Sequence, residues 1–539
     1  MRILPILFGL FPTVAAFSEG WSPRERSASE SIQAAQLAAH TRFLADDLLE
    51  GRGAGARGDE LAMRYIAAQY ERLGLQPGGD LGSYYQKFEI VGLRSELVAP
   101  PTLSGPRGQM ALSPPTDAIV APGSQSPSAS VKEAEIVFVG YGISAPEQRW
   151  DDFKGVDVRG KVLLVMNNDP ADDPKLFAGK TRLYYGRWTY KYEEAARHGA
   201  AGVILIHTTP SASYPWQVVQ SSWSGEKFEL PAGREPPLQV KMWTTEEASR
   251  KLVALGGHDL DQLRRNAERR DFRPVPPGVK LTVALETQLR RLQTANVLGL
   301  LPGSDERLAR ELVVVTAHHD HLGQKGSAIY HGALDNASGV AELLALAESM
   351  SRLAPRPQRS VLFAAVGVEE SGLLGSAYYC AHPTVPPERI AANLNIDGIN
   401  IWGRTRDVTP LGFGKSSLDE IIRAAAVEQG RTLSDDPFPD RGHFYRSDQF
   451  SFAQIGVPSV YLGGGTDFLG HDRAWGRARI EEYERRNYHQ PSDQIDGSWN
   501  LDGAVDDARL LLVIGLRVAD APAMPTWRPG DEFEKLRKR

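Results

Sequence analysis

The sequence predicts an α/β protein, a mostly parallel or mixed sheet flanked by helices, with a second, smaller unit set into it. Two observations carry this reading. From Ala295 onward, strand-like and helix-like segments alternate, the pattern of a parallel sheet. Before that, a Pro-, Gly- and Ser-rich stretch from about Pro100 to Ser130 and the run Pro274, Pro276, Pro277, Gly278 bracket a region of different texture. At about 150 residues per domain the length of 539 residues allows two to four domains, and these boundaries favour two. The expected division is 1–16 leader, 17–130 first part of the main domain, 131–285 insertion, 286–525 second part of the main domain, and 526–539 tail.

The elements follow in order. Ser31 to Glu50 reads as a helix with Ile32, Leu37, Phe43, Leu44, Leu48 and Leu49 as its apolar members, and Gly58 to Leu73 as a second. Between them Gly53 to Gly58 is formally G-x-G-x-x-G, but a dinucleotide fingerprint needs a preceding strand and here a helix precedes. Tyr84 to Val91 reads as a strand, and Pro100 to Ser130 as loop. Inside the insertion, strands are expected at Ala134 to Val139, Lys161 to Met166 and Gly202 to His207. A helix is expected at Thr189 to His198 and another from a Thr244 or Thr245 cap. Beyond Ala295, strands are expected at Leu312 to Ala317, Val361 to Val368, Asn393 to Ile396 and Val457 to Leu462. Helices are expected at Gly339 to Leu353, Ser417 to Gln429 and Ala504 to Val518.

Composition narrows the function classes. The net charge of −6 supplies no basic footprint for nucleic acid. A single cysteine, Cys380, excludes an intrachain disulfide and a Cys-based metal site, so any metal must be held by His and carboxylates. Met1-Arg2, the apolar run Ile3 to Ala15 and Val14-Ala15-Ala16 read as an export signal cleaved near Ala16. No cysteine follows for lipid attachment and no later run of about 18 apolar residues appears, so no membrane partner is expected after cleavage, and the expected location is secreted or periplasmic.

Five segments combine metal-type side chains with strand ends or loops: Thr316-Ala317-His318-His319-Asp320-His321, Gly332 to Gly339 around Asp335, Val368-Glu369-Glu370-Ser371-Gly372, Asn395-Ile396-Asp397-Gly398, and Tyr488-His489-Gln490-Pro491-Ser492-Asp493. In an open α/β sheet, groups beyond the carboxyl ends of different strands converge in one crevice. Asp335, Glu370 and Asp397 together with a hydroxide would offset the charge of two divalent ions, and His318 and His489 would complete the two ligand sets if Asp335 is shared. His319 and His321 read as neighbours of the site. Asp320 reads as the group that orients His318, as metal-bound imidazoles require.

In this order the five segments resemble metallopeptidase family 28, which includes zinc aminopeptidases, glutamate carboxypeptidases and the transferrin receptor. The resemblance runs from Ala295 to about Val518 and touches Leu48-Glu50-Gly51-Arg52. It implies a zinc-exopeptidase fold of the phosphorylase/hydrolase type and two co-catalytic zinc ions. His318 and Asp397 would hold one ion, Glu370 and His489 the other, with Asp335 bridging. It implies Glu369 as the general base toward a metal-bridging water, and Tyr488 as a partner of the tetrahedral oxyanion. Ser447-Asp448 also matches a family pattern, read as structural or site-lining. The middle region, with Phe138-Val139-Gly140-Tyr141-Gly142, Asp151-Asp152-Phe153 and Ala195 to Gly202, resembles the small β-rich protease-associated domain inserted in this family, in a passive or a specificity role.

The function implied is removal of N-terminal residues from peptides. A carboxypeptidase on the same machinery is the nearest alternative, with Arg441 or Arg446 for a terminal carboxylate. A glutaminyl cyclase-like or a non-catalytic receptor-like member stands further off, since the ligand set and the Glu369 position are filled. There is no G-x-S-x-G elbow and no H-E-x-x-H.

Overall fold

The computed structural model describes residues 20–537 apart from 172, 224 and 234–236; the expected leader lies outside the described residues. The main body is built on a mixed sheet. Its strands run in the spatial order Tyr85–Leu97, Lys280–Leu301, Ser360–Val366, Leu312–His318, Ile390–Asn395, Ser459–Gly464, Asp407–Leu411 and Thr432–Leu433. The four central strands, from Ser360–Val366 to Ser459–Gly464, are mutually parallel.

These central strands are apolar throughout because both faces of the sheet are covered. Val313, Val315 and Ala317 point into the core made with helices Ala34–Leu44, Arg57–Arg72, Ser338–Ser351 and Asp502–Asp520. Leu312 and Val314, one residue out of step, point to the opposite core, where Tyr379, Cys380 and Phe452 lie. The alternation repeats in the next strand, with Val361, Phe363 and Ala365 on one face and Leu362, Ala364 and Val366 on the other. Truncating such a residue, Phe363 for example, would cost about 3–5 kcal/mol through lost transfer energy and the cavity left behind.

The expected helix from Ser31 to Glu50 stops at Leu44. Asp46 then accepts a bond from the Leu48 amide and starts a short 3-10 turn, Asp47–Arg52, whose Glu50 and Gly51 take left-handed φ of 51° and 68°. A further helix, Pro23–Glu30, precedes it, opened by Ser22, Pro23 and the reciprocal Glu25 contact of a capping box. The stretch expected as loop carries three strands, Thr102–Gly105, Gly108–Ala111 and Ala118–Pro122. The third is fixed by pairing with distant Val240–Thr245, which local Pro and Gly content does not reveal.

The connection between the two bodies is a ribbon. Lys280–Leu301 is one strand of 22 residues, paired antiparallel with Tyr85–Leu97 from Leu285↔Leu97 to Val297↔Tyr85. The expected boundary at 285/286 falls inside it. The chain therefore enters and leaves the insertion along two neighbouring strands. The insertion holds its own sheet in the order Ala118–Pro122, Val240–Thr245, Gly202–His207, Val162–Met166 and Ser128–Phe138, all parallel except the first. Apolar clusters cover both of its faces, with helices Trp188–Arg197, Glu246–Leu255 and Leu260–Ala267 among them, so this unit is α/β rather than β alone.

Candidate metal centre

The candidate ligands come from the carboxyl ends of the parallel strands and the loops beside them. His318 ends its strand, Glu369 and Glu370 follow Ser360–Val366, Asp397 follows Ile390–Asn395, and Asp335 lies in the turn before helix Ser338–Ser351. His489 arrives from the loop after helix Arg473–Arg486. Two of these turns use backbone that non-glycine residues rarely adopt. Val368, just before Glu369, has φ 59°, and His489 itself has φ 56°. Such conformations cost about 1–3 kcal/mol and persist where the surroundings impose them.

The five candidate ligands converge around Asp335. Its Oδ1 stands 3.3 Å from His318 Nε2, and its Oδ2 stands 3.1 Å from His489 Nε2. His318 Nε2 is also 3.2 Å from Asp397 Oδ1, and His489 Nε2 is 3.1 Å from Glu370 Oε2. Two ligands at ~2.1 Å from one tetrahedral ion stand ~3.4 Å apart, and the N/O donor set suits zinc. Both triads therefore fit a divalent ion, with Asp335 common to the two.

Glu369 lies beside the first triad, its Oε2 4.0 Å from His318 Nε2. The donor atoms of His318, Glu369 and Asp397 approach within 4.8 Å of one another, and so do those of His321, Asp335 and Glu370. His321 was expected only as a neighbour. Its Nδ1 lies 2.6 Å from Glu370 Oε1, whereas His489 meets the other oxygen, so His321 fixes the orientation of Glu370. His319 is 3.0 Å from Asp59 Oδ1 and 3.1 Å from the Ala295 carbonyl, and ties the site loop to helix Arg57–Arg72.

The supporting groups are buried. Asp320 accepts from the Glu369 amide at 3.0 Å and the Glu370 amide at 3.4 Å. His318 Nδ1 is nearer the Asp320 carbonyl, at 3.2 Å, than its carboxylate, at 3.7 Å. Asp320 thus reaches His318 through its main chain and holds the Glu369-Glu370 turn through its side chain. Asp493, four residues after His489, accepts from the Leu334 and Asp335 amides at 3.0 and 3.1 Å. Arg52, 1% exposed, donates to the His319, His331 and Gly332 carbonyls at 2.9, 2.7 and 2.9 Å, joining two of the loops from beneath. Gly332 has φ 54°, and a Cβ there would lie 2.2 Å from the Asp335 carbonyl oxygen.

The adjacent glutamates are pushed in opposite directions. Burial raises Glu369 well above the usual carboxyl range, and Asp397, Asp448 and Glu370 add to the shift. Burial also opposes ionisation of Glu370, but His489 and His321 outweigh it and bring Glu370 down to about 2. Burial disfavours a charged His318, yet Glu369, Asp335 and Asp397 hold it well above the ordinary imidazole range. Tyr488 stacks on His489 with ring centres 3.9 Å apart, and its hydroxyl is 3.5 Å from Arg446 Nη2. Ser447 accepts from Asn395 Nδ2 at 2.7 Å, and burial pushes Asp448 up to about 7. Arg441 is paired with Glu484, so its charge is already taken.

A cleft of about 260 Å³ opens onto Asp335, Glu369, Asp397 and His489, walled by Trp402, Leu411 and Phe468 from the main body and by Tyr214 from the insertion. Residues 296–513 match the sequence profile of peptidase family M28. Those residues belong to peptidase family M28. All five candidate ligands and Glu369 lie in the M28 segment. The chain is 25% identical over 422 residues to aminopeptidase NAALADL1 of Rattus norvegicus, covering 64% of this chain and 51% of the relative. It is 30% identical over 191 residues to aminopeptidase YwaD of Bacillus subtilis, covering 34% of this chain and 36% of the relative. The chain thus spans about half the length, or less, of these curated relatives. The fold is like that of the aminopeptidase from Aneurinibacillus sp. strain AM-1, with a TM-score of 0.53 and 20% identity over 94% of this chain and 98% of that one. The likeness of fold therefore extends beyond residues 296–513.

Proposed function

We propose that the chain is a dizinc exopeptidase that removes residues from the N-terminus of peptides. The observation that carries the reading is Asp335, whose two oxygens each face a different imidazole, each of which has a second carboxylate beside it. His318 and Asp397 would hold one ion, Glu370 and His489 the other, and Asp335 both. Ions bound there supply Lewis acidity toward the substrate carbonyl and lower the pKa of water.

The remaining work falls to the chain's own groups. Glu369 takes a proton from the attacking water on its carboxylate and passes it to the leaving amine as the carbon–oxygen bond forms and the carbon–nitrogen bond breaks. A carboxyl whose proton affinity is raised by burial is suited to hold that proton between the two steps. Tyr488, stacked on His489, offers its hydroxyl to the carbonyl oxygen. The free α-amino group of the substrate sits near the ligand carboxylates. The names of the similar aminopeptidases support an N-terminal rather than an internal cut. We also propose that 131–285 is a protease-associated domain that narrows the cleft through Ser213 and Tyr214, and that the leader sends the chain to the periplasm or the medium. Among the described residues no helix is long and apolar enough to cross a membrane.

One observation favours a carboxypeptidase as the second reading. Arg187 and Arg446 line a neighbouring cleft with Glu369, Glu370 and His489; Arg446 bonds the Tyr488 hydroxyl and feels the charge of Glu484, and among the described residues neither arginine forms a direct ion pair. A substrate carboxylate would satisfy them. Peptides blocked at one end or the other decide between the two: the aminopeptidase reading expects cleavage of C-terminally amidated peptides and none of N-acetylated ones. Glu369→Gln is expected to keep both ions, by metal analysis, while turnover falls by about 10²–10⁴-fold, the usual worth of a positioned acid–base group. A variant with full activity would remove Glu369 from this role.

A further inference from the structure

We infer that the inserted unit supplies a positioning residue to the metal centre: Ser222 fixes the ring of His489. This rests on the dizinc reading and adds to it a dependence of one ion on the insertion.

Ser222 Oγ lies 2.7 Å from His489 Nδ1. The other ring nitrogen, Nε2, is the atom 3.1 Å from both Asp335 Oδ2 and Glu370 Oε2. With Nε2 committed to that side, Nδ1 carries the hydrogen and donates it to the serine oxygen. Among the described residues Ser222 is the only hydrogen-bond partner of Nδ1, and the residue has the left-handed φ of 56° that needs external support. Imidazoles that bind metal depend on such a bond for tautomer and orientation.

Ser222 is itself held by the insertion's core. It sits in helix Trp216–Trp223, whose Val218 and Val219 are buried. The next residue, Trp223, meets the rings of Trp188 and Trp243 edge-on at 5.1 and 6.1 Å. The preceding carbonyl, that of Ser221, accepts a hydrogen bond from Lys325 Nζ, in the hairpin just beyond His321. Two consecutive residues of one insertion helix therefore grip two loops of the metal centre. A passive insert needs neither contact.

The test uses the full chain and metal alone. Zinc is titrated against a competing chelator for the native chain, Ser222→Ala, Ser222→Thr and Asp397→Asn, with an unfolding transition recorded for each. The native chain is expected to hold two ions. Ser222→Ala is expected to release one of them at about 10–100-fold lower chelator strength, leaving the other and the unfolding midpoint of the metal-free chain unchanged. Ser222→Thr, which keeps the hydroxyl, restores the native curve, and Asp397→Asn weakens the other ion. A Ser222→Ala curve that overlays the native one, or one that weakens both ions together with the fold, overturns the inference while leaving the metal centre standing. A native chain that binds fewer than two ions overturns the dizinc reading itself.

Discussion

The molecule buries charge in two places and settles it in two ways. In the insertion, Lys191 is fully buried and donates to the Asn168 carbonyl at 2.8 Å. Burial pushes it down to about 7 against the charges of Asp169 and Asp152, which burial in turn raises to about 6 and about 7. Arg182, 3% exposed, adds a second cation. Asp152, Asp169 and Glu194 thus act on Lys191 beside Arg182, and the cluster holds charges of both signs. At the strand ends of the M28 segment, Asp320, Asp335, Glu370 and Asp493 act on the buried guanidinium of Arg52, Glu369 and Asp397 lie beside them, and two imidazoles turn their Nε2 atoms toward the carboxylates. Lys227, Lys325 and Arg446 add basic groups at the edge, and the carboxylates still outnumber these cations. Burying that excess is costly unless cations come from outside. The cluster of both signs reads as scaffold and the acidic one as a cation site.

The strongest way to break this comparison is to remove the shared carboxylate. Asp335→Asn is expected to take bound metal from about two ions per chain to near zero. Metal Lewis acidity is worth several kcal/mol, so activity falls by about 10³-fold or more. Unfolding of the insertion should be unaffected. Two ions retained in this variant would show that the six carboxylates are balanced by something else.

Arg52 comes next. Its guanidinium stays charged at about 10, because the carboxylates around it resist the shift that burial imposes. Arg52→Met leaves the His319, His331 and Gly332 carbonyls without a donor and removes the buried guanidinium that Asp320, Asp493, Asp335 and Glu370 act on. The expected loss is about 3–5 kcal/mol, read by denaturant unfolding of the chelated chain. A loss under about 1 kcal/mol would mean that the loops hold their places without it.

What could be read from the sequence follows physical range. Leu312 to Ala317 and Val361 to Val368 are legible because strands buried on both faces are apolar without interruption. Gly202–His207 lies where expected for the same reason. Lys280–Leu301 is not legible as one strand, because Gln288-Leu289-Arg290-Arg291 is exposed on a ribbon and reads as loop. Helix Leu260–Ala267 hides in Arg-rich sequence, although Asp259 caps it. At the site, His318, Glu370 and Asp397 sit at strand ends and could be placed by position alone. His489 comes from a loop far downstream, so no strand end marks it, and it enters as the second imidazole needed to complete the ligand sets. Asp493 was in view but had no role until its bonds to Leu334 and Asp335 appeared. Ser222 lies 267 residues from its partner, in another folding unit, and no local signal points to it.

The smallest effect expected distinguishes the two units by acid. His207, 4% exposed, ends the strand Gly202–His207 and meets the Tyr214 carbonyl at 3.0 Å, with the Trp216 ring 5.3 Å away. Burial lowers its pKa from 6.5 to about 4, against the pull of that carbonyl. A histidine with a depressed folded-state pKa contributes stability that is present above its unfolded value and lost as pH falls through the folded one. The window is therefore about pH 6.5 down to 4, and the loss is about 3 kcal/mol, from 1.36 kcal/mol per unit. The metal-free chain isolates this loss from acid release of ions. His207→Gln, which keeps a donor for the Tyr214 carbonyl but does not titrate, is expected to flatten the insertion's acid limb by that amount while leaving the M28 segment's unfolding where it was. Parallel pH profiles for the two chains would show that His207 does not set the acid limb, since the raised carboxyls of Asp152 and Asp169 favour the folded state as pH falls and cannot supply the loss.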